Sequence, residues 1–256
     1  MMREWFFYWL YAIDRHSLQS PFIYNFFDRY IRNKSGNAIY AIEKLKKELK
    51  RNQSEIIVED FGAGSIANNQ LKRKVSYIAK TSSSNSRFSV LLHDIIQIYQ
   101  FTNVLELGTS LGFNTLYMAS AEVNKLQIHT IEGSKEIADI AAENFLKLGA
   151  ININLHVGNI DNLLSAVISK MPQIDLAYLD ANHTFDATIS YFEIISPKLH
   201  EDSIVFVDDI HWSPEMKKAW QSLQNHSIVT HSVDIFDAGI LFFKKSLRKK
   251  HFILEF

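Results

Sequence analysis

From Asn103 onward, the sequence alternates short apolar runs with stretches whose apolar residues recur at helical spacing. Short apolar runs are typical of strands buried on both faces, whereas a 3.6-residue period is typical of amphipathic helices. This alternation favours a parallel sheet covered by helices and excludes most other layer architectures. Strands are predicted at 104–107, 128–131, 153–157, 174–179 and 204–207.

The end of the chain breaks this alternation. Two further apolar runs, 228–236 and 240–243, are separated only by Asp237, Ala238 and Gly239. No helix fits into so short a connection, so the pair is predicted to form an antiparallel hairpin. The sequence therefore predicts an α/β fold: a seven-stranded, mostly parallel sheet with a terminal antiparallel hairpin, flanked by helices.

The first part of the chain has a different pattern. Helices are predicted at 5–13, 21–31 and 39–50, and the serine-rich stretch 81–86 is predicted to be a connection. We therefore expect two regions. Residues 1–89 form a mainly helical N-terminal extension that could act as a lid, and residues 90–256 form the α/β domain.

Two glycine-containing segments compete as a ligand-binding turn, 60–65 (Asp-Phe-Gly-Ala-Gly-Ser) and 106–112 (Glu-Leu-Gly-Thr-Ser-Leu-Gly). A nucleotide-type turn needs a strand before it, a helix after it, and a second strand that ends in an acid for the ribose hydroxyls. Only 106–112 has this context, because Glu132 follows Gly112 by about 20 residues. The segment 60–65 is expected to be a structural turn, with a lid or substrate loop as the alternative.

Residues 106–115 resemble motif I of class I S-adenosylmethionine-dependent methyltransferases, and they are closest to the O-methyltransferase subgroup. The resemblance covers residues 90–245, includes the terminal hairpin and implies a Rossmann-like sheet. It implies that motif I wraps the methionine part of S-adenosylmethionine, that the acid after the second strand holds the ribose, and that residues after the third strand contact adenine. The cofactor-binding residues predicted from it are Glu106, Gly108, Thr109, Ser110, Gly112, Glu132, Gly133, Gly158, Asn159, Ile160 and Asp180.

Acidic residues and histidines follow the fourth and fifth predicted strands. Residues 180–183 (Asp-Ala-Asn-His) follow the fourth strand, and residues 208–212 (Asp-Asp-Ile-His-Trp) follow the fifth. Because ligands bind outside the carboxyl ends of parallel strands, we expect these side chains to face one cleft. Carboxylates that converge there repel one another unless a cation, a proton or a cationic ligand neutralises them.

The cluster is similar to that of metal-dependent catechol and caffeoyl-CoA O-methyltransferases, which bind a metal through an aspartate after strand four and an Asp-Asn pair after strand five. The resemblance assigns Asp180, Asp208 and Asp209 as ligands of magnesium, manganese or calcium. Asp209 replaces the asparagine of that pattern, and His183 replaces its lysine base. Histidine titrates near neutrality, so His183 is a credible base for a hydroxyl group.

Three residues are therefore predicted to be catalytic: His183, Asp180 and His211. Each has a structural alternative. Asp180 could close the cofactor pocket or cap the following helix, and His211 could hydrogen-bond Asp180 or pack against Trp212. In the predicted reaction, a substrate oxygen or nitrogen that has lost its proton to His183, or is made anionic by a metal, attacks the cofactor's methyl group.

Composition limits the partners and the location. The chain has no cysteine, which excludes disulfides and thiolate chemistry and fits a reducing compartment. A net charge of −1 gives no general attraction to nucleic acid or membranes, and the basic run 247–251 is expected to be a solvated tail. The aromatic stretch 5–13 is too short for a spanning helix, which takes about 20 residues. We expect a cytoplasmic protein with a small-molecule acceptor, and a homodimer contact through the N-terminal aromatic residues is left open.

Two other functions are left open by the sequence. One is an NAD-type oxidoreductase on a similar sheet, and the other is a cofactor-binding partner protein without transfer activity. A dehydrogenase would more often have the pattern Gly-x-Gly-x-x-Gly and would not end in the hairpin. The methyltransferase interpretation is therefore preferred.

Overall fold

The computed structural model describes residues 2–14, 17–26, 28–29, 39–59, 70–82, 86–121 and 123–256. The chain divides into two compact units. The central unit comprises Lys34–Met171, and the terminal unit comprises Met1–Asn33 together with Pro172–Phe256. The predicted boundary after residue 89 falls inside the central unit, and the division into an N-terminal extension and an α/β domain stays a prediction.

The alternation of strands and helices predicted after Asn103 is confirmed. In chain order, the helices are α1 (Met2–Tyr11), α2 (Pro21–Phe26), α3 (Tyr40–Leu49), α4 (Val75–Thr81), α5 (Ser86–Tyr99), α6 (Phe113–Ala119), α7 (Lys135–Lys147), α8 (Ile160–Ser169), α9 (Phe185–Ile195) and α10 (Pro214–Asn225). The strands are β1 (Glu55–Glu59), β2 (Gln70–Lys74), β3 (Asn103–Leu107), β4 (Gln127–Glu132), β5 (Ile153–Val157), β6 (Ile174–Leu179), β7 (Leu199–Asp208), β8 (His231–Asp234), β9 (Ala238–Phe242) and β10 (Lys250–Ile253).

The sheet of the central unit has the strand order β3-β4-β5, and all its strands are parallel. The register aligns Leu107 with Ile131 and Glu132 with Val157, so the loops that follow the strands leave from one edge. Helices α6, α7 and α8 pack against this sheet. Strand β3 is almost fully buried, as expected for a short apolar strand covered on both faces.

Residues before Ser86 complete the central unit. Strands β1 and β2 pair antiparallel, with Glu55 opposite Lys74. Their core, together with α3 and α4, is continuous with that of α6 and α7, because Ile42, Val58 and Ile78 belong to the same buried cluster as Phe145. The segment 60–65 lies outside the described residues, as does the middle of the stretch 81–86.

The terminal unit contains the predicted hairpin. Its strand order is β10-β8-β9-β7-β6, in which β6 and β7 are parallel and β9 runs antiparallel to both β7 and β8. Helix α10 begins as the sequence suggests, because the Ser213 hydroxyl accepts a hydrogen bond from the Met216 N–H at 3.1 Å and Pro214 occupies the first turn.

The basic side chains of the run 247–251 are exposed to solvent, as expected, but the end of the run belongs to a strand rather than to a tail. Residues Lys250–Ile253 form β10, which pairs parallel with β8. The cause is the apolar residues of the same segment, because Phe252 and Leu254 are buried, while the preceding Lys250 and His251 are exposed. Among the residues that the structure describes, no helix is long and apolar enough to cross a membrane.

Candidate functional site

The turn between β3 and α6 is fixed by hydrogen bonds to the neighbouring strand. The N–H groups of Gly108 and Thr109 donate to the carbonyl oxygen of Ile131 at 2.9 and 3.3 Å. Gly108, Ser110 and Gly112 have φ angles of 94°, 48° and 80°. Glycine adopts such angles without steric cost, so the chain can turn sharply away from the end of β3.

Gly112 is required by packing as well as by its backbone angle. A Cβ atom at this position would lie 2.4 Å from Cε1 of Phe145, which is far closer than van der Waals contact. Helix α7 therefore packs directly against the backbone where the turn enters α6. The contact between Gly112 and Phe145 therefore covers the side of the predicted ligand-binding turn that faces α7.

Glu132, at the end of β4, is bound to this turn. The Ser110 N–H donates to its Oε2 at 2.8 Å, and the Ser134 N–H donates to its Oε1 at 2.9 Å. Hydrogen bonds from backbone N–H groups favour the ionised carboxylate and fix its orientation. A carboxylate accepts about four hydrogen bonds in total, and the two hydroxyls of a ribose are donors of the kind it can accept.

Glu106 and Thr109 lie beneath the turn rather than at its surface. Glu106 is 1% exposed, and its Oε2 accepts hydrogen bonds from the hydroxyls of Thr115 and Thr130. The Thr109 hydroxyl is hydrogen-bonded to the Thr130 hydroxyl. These side chains connect the turn to β4 and α6, and their predicted contact with a cofactor stays a prediction.

The loop after β5 lies next to Glu132. The Gly158 N–H donates to the Glu132 carbonyl oxygen at 2.8 Å, and Gly158 has a φ of 141°. The Asn159 side chain caps α8 by accepting from the Asp161 N–H at 2.8 Å, and Ile160 begins the helix. The central unit thus brings the predicted methionine, ribose and adenine contacts to adjacent loops.

In the terminal unit, Asp180 and Asp208 lie side by side after β6 and at the end of β7. Burial raises the pKa of Asp208 well above its ordinary value, and the charges of Asp180 and Asp209 add to this rise. The Tyr178 hydroxyl donates to Oδ2 of Asp180 at 3.1 Å. The surroundings of Asp208 therefore favour its protonated form.

His183 joins this cluster. Its Nε2 lies 3.5 Å from Oδ1 of Asp180 and 4.0 Å from Oδ2 of Asp209, and its side chain is partly exposed. The backbone is left-handed at His183 and Asp209, with φ angles of 35° and 54°. Burial raises the pKa of Asp209, whereas the nearby imidazole lowers it. The structure thus brings together Asp180, His183, Asp208 and Asp209, as predicted.

His211 belongs to a separate pair. Its Nε2 lies 2.7 Å from Oδ2 of Asp234, and its ring stacks on Phe236 with centroids 5.3 Å apart. The partner is therefore Asp234 rather than Asp180, and Trp212 is exposed. The other ring nitrogen, Nδ1, is buried without a hydrogen-bond partner in the described part of the chain. A buried polar atom of this kind requires a physical or functional explanation.

The predicted metal ligands Asp180, Asp208 and Asp209 are adjacent, but their arrangement does not resemble a metal centre. Within the described ranges, no group of three or more histidine and acidic side chains could hold a metal ion. Burial, together with the charges of Asp180 and Asp209, raises the pKa of Asp208, so either a proton or a cation would stabilise this group of carboxylates. A metal at this site stays a prediction.

The sequence analysis missed three residues around this edge: Tyr178, Asp234 and Asp237. Asp237 accepts a backbone hydrogen bond from the Asp209 N–H at 2.8 Å, and its charge contributes to the raised pKa of Asp209. The direction of β8 could have indicated that the residues after this strand lie near those after β7. This strand runs antiparallel to β9, which itself runs antiparallel to β7, so β8 ends at the same edge as β7.

Comparisons with known proteins agree with this geometry. Residues 105–210 match the family model of a methyltransferase domain. The SAH-bound methyltransferase PaMTH1 of Podospora anserina has a similar structure, with a TM-score of 0.64 at 16% identity, covering 89% of this chain and 98% of that one. The O-methyltransferase of Bacillus cereus in complex with SAH has a TM-score of 0.57 at 15% identity, covering 85% and 94%. The O-methyltransferase TomG of Streptomyces achromogenes, in complex with SAM, has a TM-score of 0.56 at 22% identity, covering 62% and 80%.

The mostly parallel sheet, its helical layers and the terminal hairpin define the Rossmann-like α/β fold of class I methyltransferases, which confirms the predicted fold class. The segment that matches the model of a methyltransferase domain begins inside β3 and ends just after Asp209. It therefore includes both the Glu132 turn and the aspartate–histidine cluster.

Proposed function

We propose that this chain transfers a methyl group from S-adenosylmethionine to an oxygen atom of a small-molecule acceptor. The observation that carries the proposal is the position of Glu132, which lies at the β3–α6 turn inside the segment that matches a methyltransferase domain. Structural neighbours crystallised with SAM or SAH support the choice of cofactor.

The central unit supplies the cofactor contacts in this proposal. Ser110 and Ser134 hold the Glu132 carboxylate ionised and oriented, so it can accept from ribose hydroxyls without first reorganising. Gly108 leaves the start of the turn without a side chain, which lets a ligand approach the backbone, whereas the missing side chain of Gly112 makes room for Phe145. The remaining proposed contacts of the central unit are Glu106, Thr109, Gly133, Gly158, Asn159 and Ile160. Asp180 is a proposed contact from the terminal unit.

The terminal unit supplies the acid–base chemistry. S-adenosylmethionine, when bound, supplies an electrophilic methyl group on a positively charged sulfur. His183 accepts the proton of the acceptor hydroxyl at Nε2, and Asp180 stabilises the imidazolium that results. His211 is a second candidate for this step. A divalent metal at Asp180, Asp208 and Asp209, and a homodimeric state, remain parts of the proposal that are tested separately.

Isothermal titration calorimetry tests the cofactor directly. We expect the purified chain to bind S-adenosylhomocysteine and not NAD, and Glu132→Ala to weaken S-adenosylhomocysteine binding. Tight NAD binding without S-adenosylhomocysteine binding would reverse the proposal in favour of an oxidoreductase. Mass spectrometry of a panel of hydroxylated small molecules, incubated with S-adenosylmethionine and the chain, tests the transfer itself by a gain of one methyl group.

A further inference from the structure

A tight turn centred on Asn182 lies immediately before His183. The His183 N–H donates to the carbonyl oxygen of Ala181 at 2.8 Å, and the residue between them, Asn182, has a φ of 64°. A hydrogen bond that closes three residues around a positive φ defines the strained form of the γ-turn, which is much rarer than its inverse. His183 follows with a φ of 35°, so two consecutive non-glycine residues have left-handed backbone angles.

The turn is fixed at both ends. Residues 180–184 connect β6, which is fully buried, to α9. The Thr184 hydroxyl caps α9 by accepting from the Ala187 N–H at 3.3 Å, and the Phe185 N–H donates to Oε2 of Glu215 at 3.4 Å. Strained backbone persists only where the surrounding structure imposes it, and it is concentrated at functional sites. The fixed ends therefore prevent the turn from relaxing.

The side chain of Asn182 is suited to this position in two ways. Asparagine adopts left-handed angles more readily than most other residues with a side chain. Its Nδ2 also donates to the Tyr191 hydroxyl at 3.3 Å, and Tyr191 is buried on α9. The amide thus anchors the turn to the helix that follows it.

The turn sets the direction of the His183 imidazole. Nε2 of His183 lies 3.5 Å from Oδ1 of Asp180 and 4.0 Å from Oδ2 of Asp209. A negative φ at Asn182 would open the turn and carry the imidazole away from both carboxylates. A displacement of only about 1 Å in a catalytic group can lower a rate by about 100-fold.

A second turn of the same kind supports the other side of this contact. The Asp237 N–H donates to the Ile235 carbonyl oxygen at 3.0 Å, around Phe236 with a φ of 70°. The carbonyl oxygen of Asp237 in turn accepts from the Asp209 N–H at 2.8 Å. Strained turns therefore lie behind both His183 and Asp209, the two residues whose side chains meet at this edge of the terminal unit.

We propose that Asn182 is a positioning residue, whose strained turn, anchored on the Tyr191 hydroxyl, holds the imidazole of His183 where an acceptor hydroxyl can reach it. This inference rests on the proposed function, in which His183 is the base. A positioning residue acts on the chemical step through another side chain, so its loss changes kcat rather than KM.

Two substitutions of Asn182 separate the backbone from the amide. Asn182→Val and Asn182→Gly both remove the amide, but only glycine adopts a φ of 64° without steric cost. We expect Asn182→Val to lower kcat by about 100-fold, the cost of a misplaced catalytic group. Asn182→Gly and Tyr191→Phe should each lower kcat by about fivefold, the worth of the one neutral hydrogen bond that both lose.

Steady-state methyl transfer measures these changes. The KM of the acceptor should stay within about twofold in every variant, because uniform binding is not altered. Lys125→Val is the matched control, since Lys125 has the same φ of 64° in an exposed turn of the central unit, and its kcat should equal that of wild type. Urea titrations confirm that each variant is folded. Equal losses of kcat in Asn182→Val and Asn182→Gly, or a rise in KM alone, would overturn the proposal.

Carbethoxylation by diethyl pyrocarbonate tests the position of His183 without any methyl acceptor. His200 is the reference within the same chain, because it is 33% exposed beside Asp175, whereas His183 is 28% exposed beside Asp180. Peptide mass spectrometry should show that Asn182→Val raises the rate at His183 relative to His200. An unchanged ratio would contradict the positioning role. If the wild-type chain methylated no acceptor, the proposed function would fail, and this ratio would still decide whether Asn182 holds His183 in place.

Discussion

The two units of the molecule hold their carboxylates in opposite ways. In the central unit, Glu132 receives hydrogen bonds from the N–H groups of Ser110 and Ser134, so its charge is balanced by backbone dipoles. In the terminal unit, Asp180, Asp208 and Asp209 lie together, and burial and mutual repulsion raise the pKa values of Asp208 and Asp209. The first arrangement is satisfied by the protein alone.

This difference suggests that one unit is suited to binding and the other to catalysis. A satisfied, rigid carboxylate is suited to binding, because it loses little freedom when a ligand arrives. A group of mutually repelling carboxylates beside an imidazole is suited to acid–base catalysis, because its protonation state responds to a cationic ligand or a proton. Substitutions in the terminal unit should therefore change turnover, whereas substitutions at the Glu132 turn should change affinity and stability.

The largest expected effect is that of His183→Ala on turnover. Loss of a general base typically lowers the rate by about 100-fold to 10,000-fold, and the affinity for S-adenosylhomocysteine should stay within about twofold, because His183 lies outside the central unit. Single-turnover methyl transfer and calorimetry on the same preparations measure the two quantities. His211→Ala is the comparison, and a larger loss in His211→Ala than in His183→Ala would transfer the role of base to His211.

Glu132→Ala should have the next largest effect, on affinity. Hydrogen bonds to a charged group contribute about 1.5–3 kcal/mol, so losing the ribose contacts should weaken S-adenosylhomocysteine binding by about 100-fold. Calorimetry measures this change, and Glu143→Ala, on the exposed side of α7, is the control. If Glu132→Ala bound S-adenosylhomocysteine as tightly as wild type, the Glu132 turn would not be the ribose site.

The Gly112 position separates packing from backbone strain. Gly112→Ala introduces a Cβ 2.4 Å from Phe145 at a φ of 80°, whereas Gly149→Ala introduces one at a φ of 67° with nothing within 4 Å. We expect Gly149→Ala to lose about 1 kcal/mol of the free energy of unfolding through backbone strain alone. Gly112→Ala should lose about 1–3 kcal/mol more through overpacking. Urea titrations of both variants give the difference, and equal losses would show that α7 moves away without cost.

The sequence predicted the surroundings of Glu132 better than those of His211, for a physical reason. The ligand turn, Glu132 and the loop after β5 depend on short strand–turn–helix segments, whose glycines and apolar runs are visible locally. The contacts of His211 depend instead on Asp234 and Phe236, at the end of a hairpin more than 20 residues away. Strand periodicity indicates that such a hairpin exists, but it carries no information on which side chains meet across strands.

The N-terminal residues show the same limit. Their aromatic composition predicted a helix that packs against another surface, and α1 does contact β10 through Tyr8. Only one side of the helix is used in this way, which periodicity could not reveal because apolar residues occur on every side of it. The basic run concealed β10, because this strand has only four residues and two of them, Lys250 and His251, belong to the run.

The smallest expected effect is a gain in stability, opposite in sign to the loss expected for Glu132→Gln. Asp208→Asn removes an acid whose pKa is raised by burial and by the charges of Asp180 and Asp209, so it should raise the free energy of unfolding at pH 7 by an amount on the order of 1 kcal/mol, the scale of coupling between contacting residues. The raised pKa of Asp208 means that the folded chain binds a proton that the unfolded chain releases. Wild-type stability therefore falls as the pH rises from the ordinary aspartate pKa towards the raised one.

The gain in the free energy of unfolding of Asp208→Asn over wild type should disappear near pH 3.5, which is at about or below the ordinary aspartate pKa. At this pH, position 208 of the wild-type chain is protonated in both the folded and the unfolded state. Urea titrations at the two pH values measure it. Glu132→Gln is the matched substitution in the central unit, and it should lower stability, because an amide nitrogen cannot accept from the Ser110 or Ser134 N–H. If Asp208→Asn were instead destabilising at pH 7, Asp208 would be an ionised carboxylate with a favourable cationic partner, and the case for a bound metal at this edge would become the stronger one.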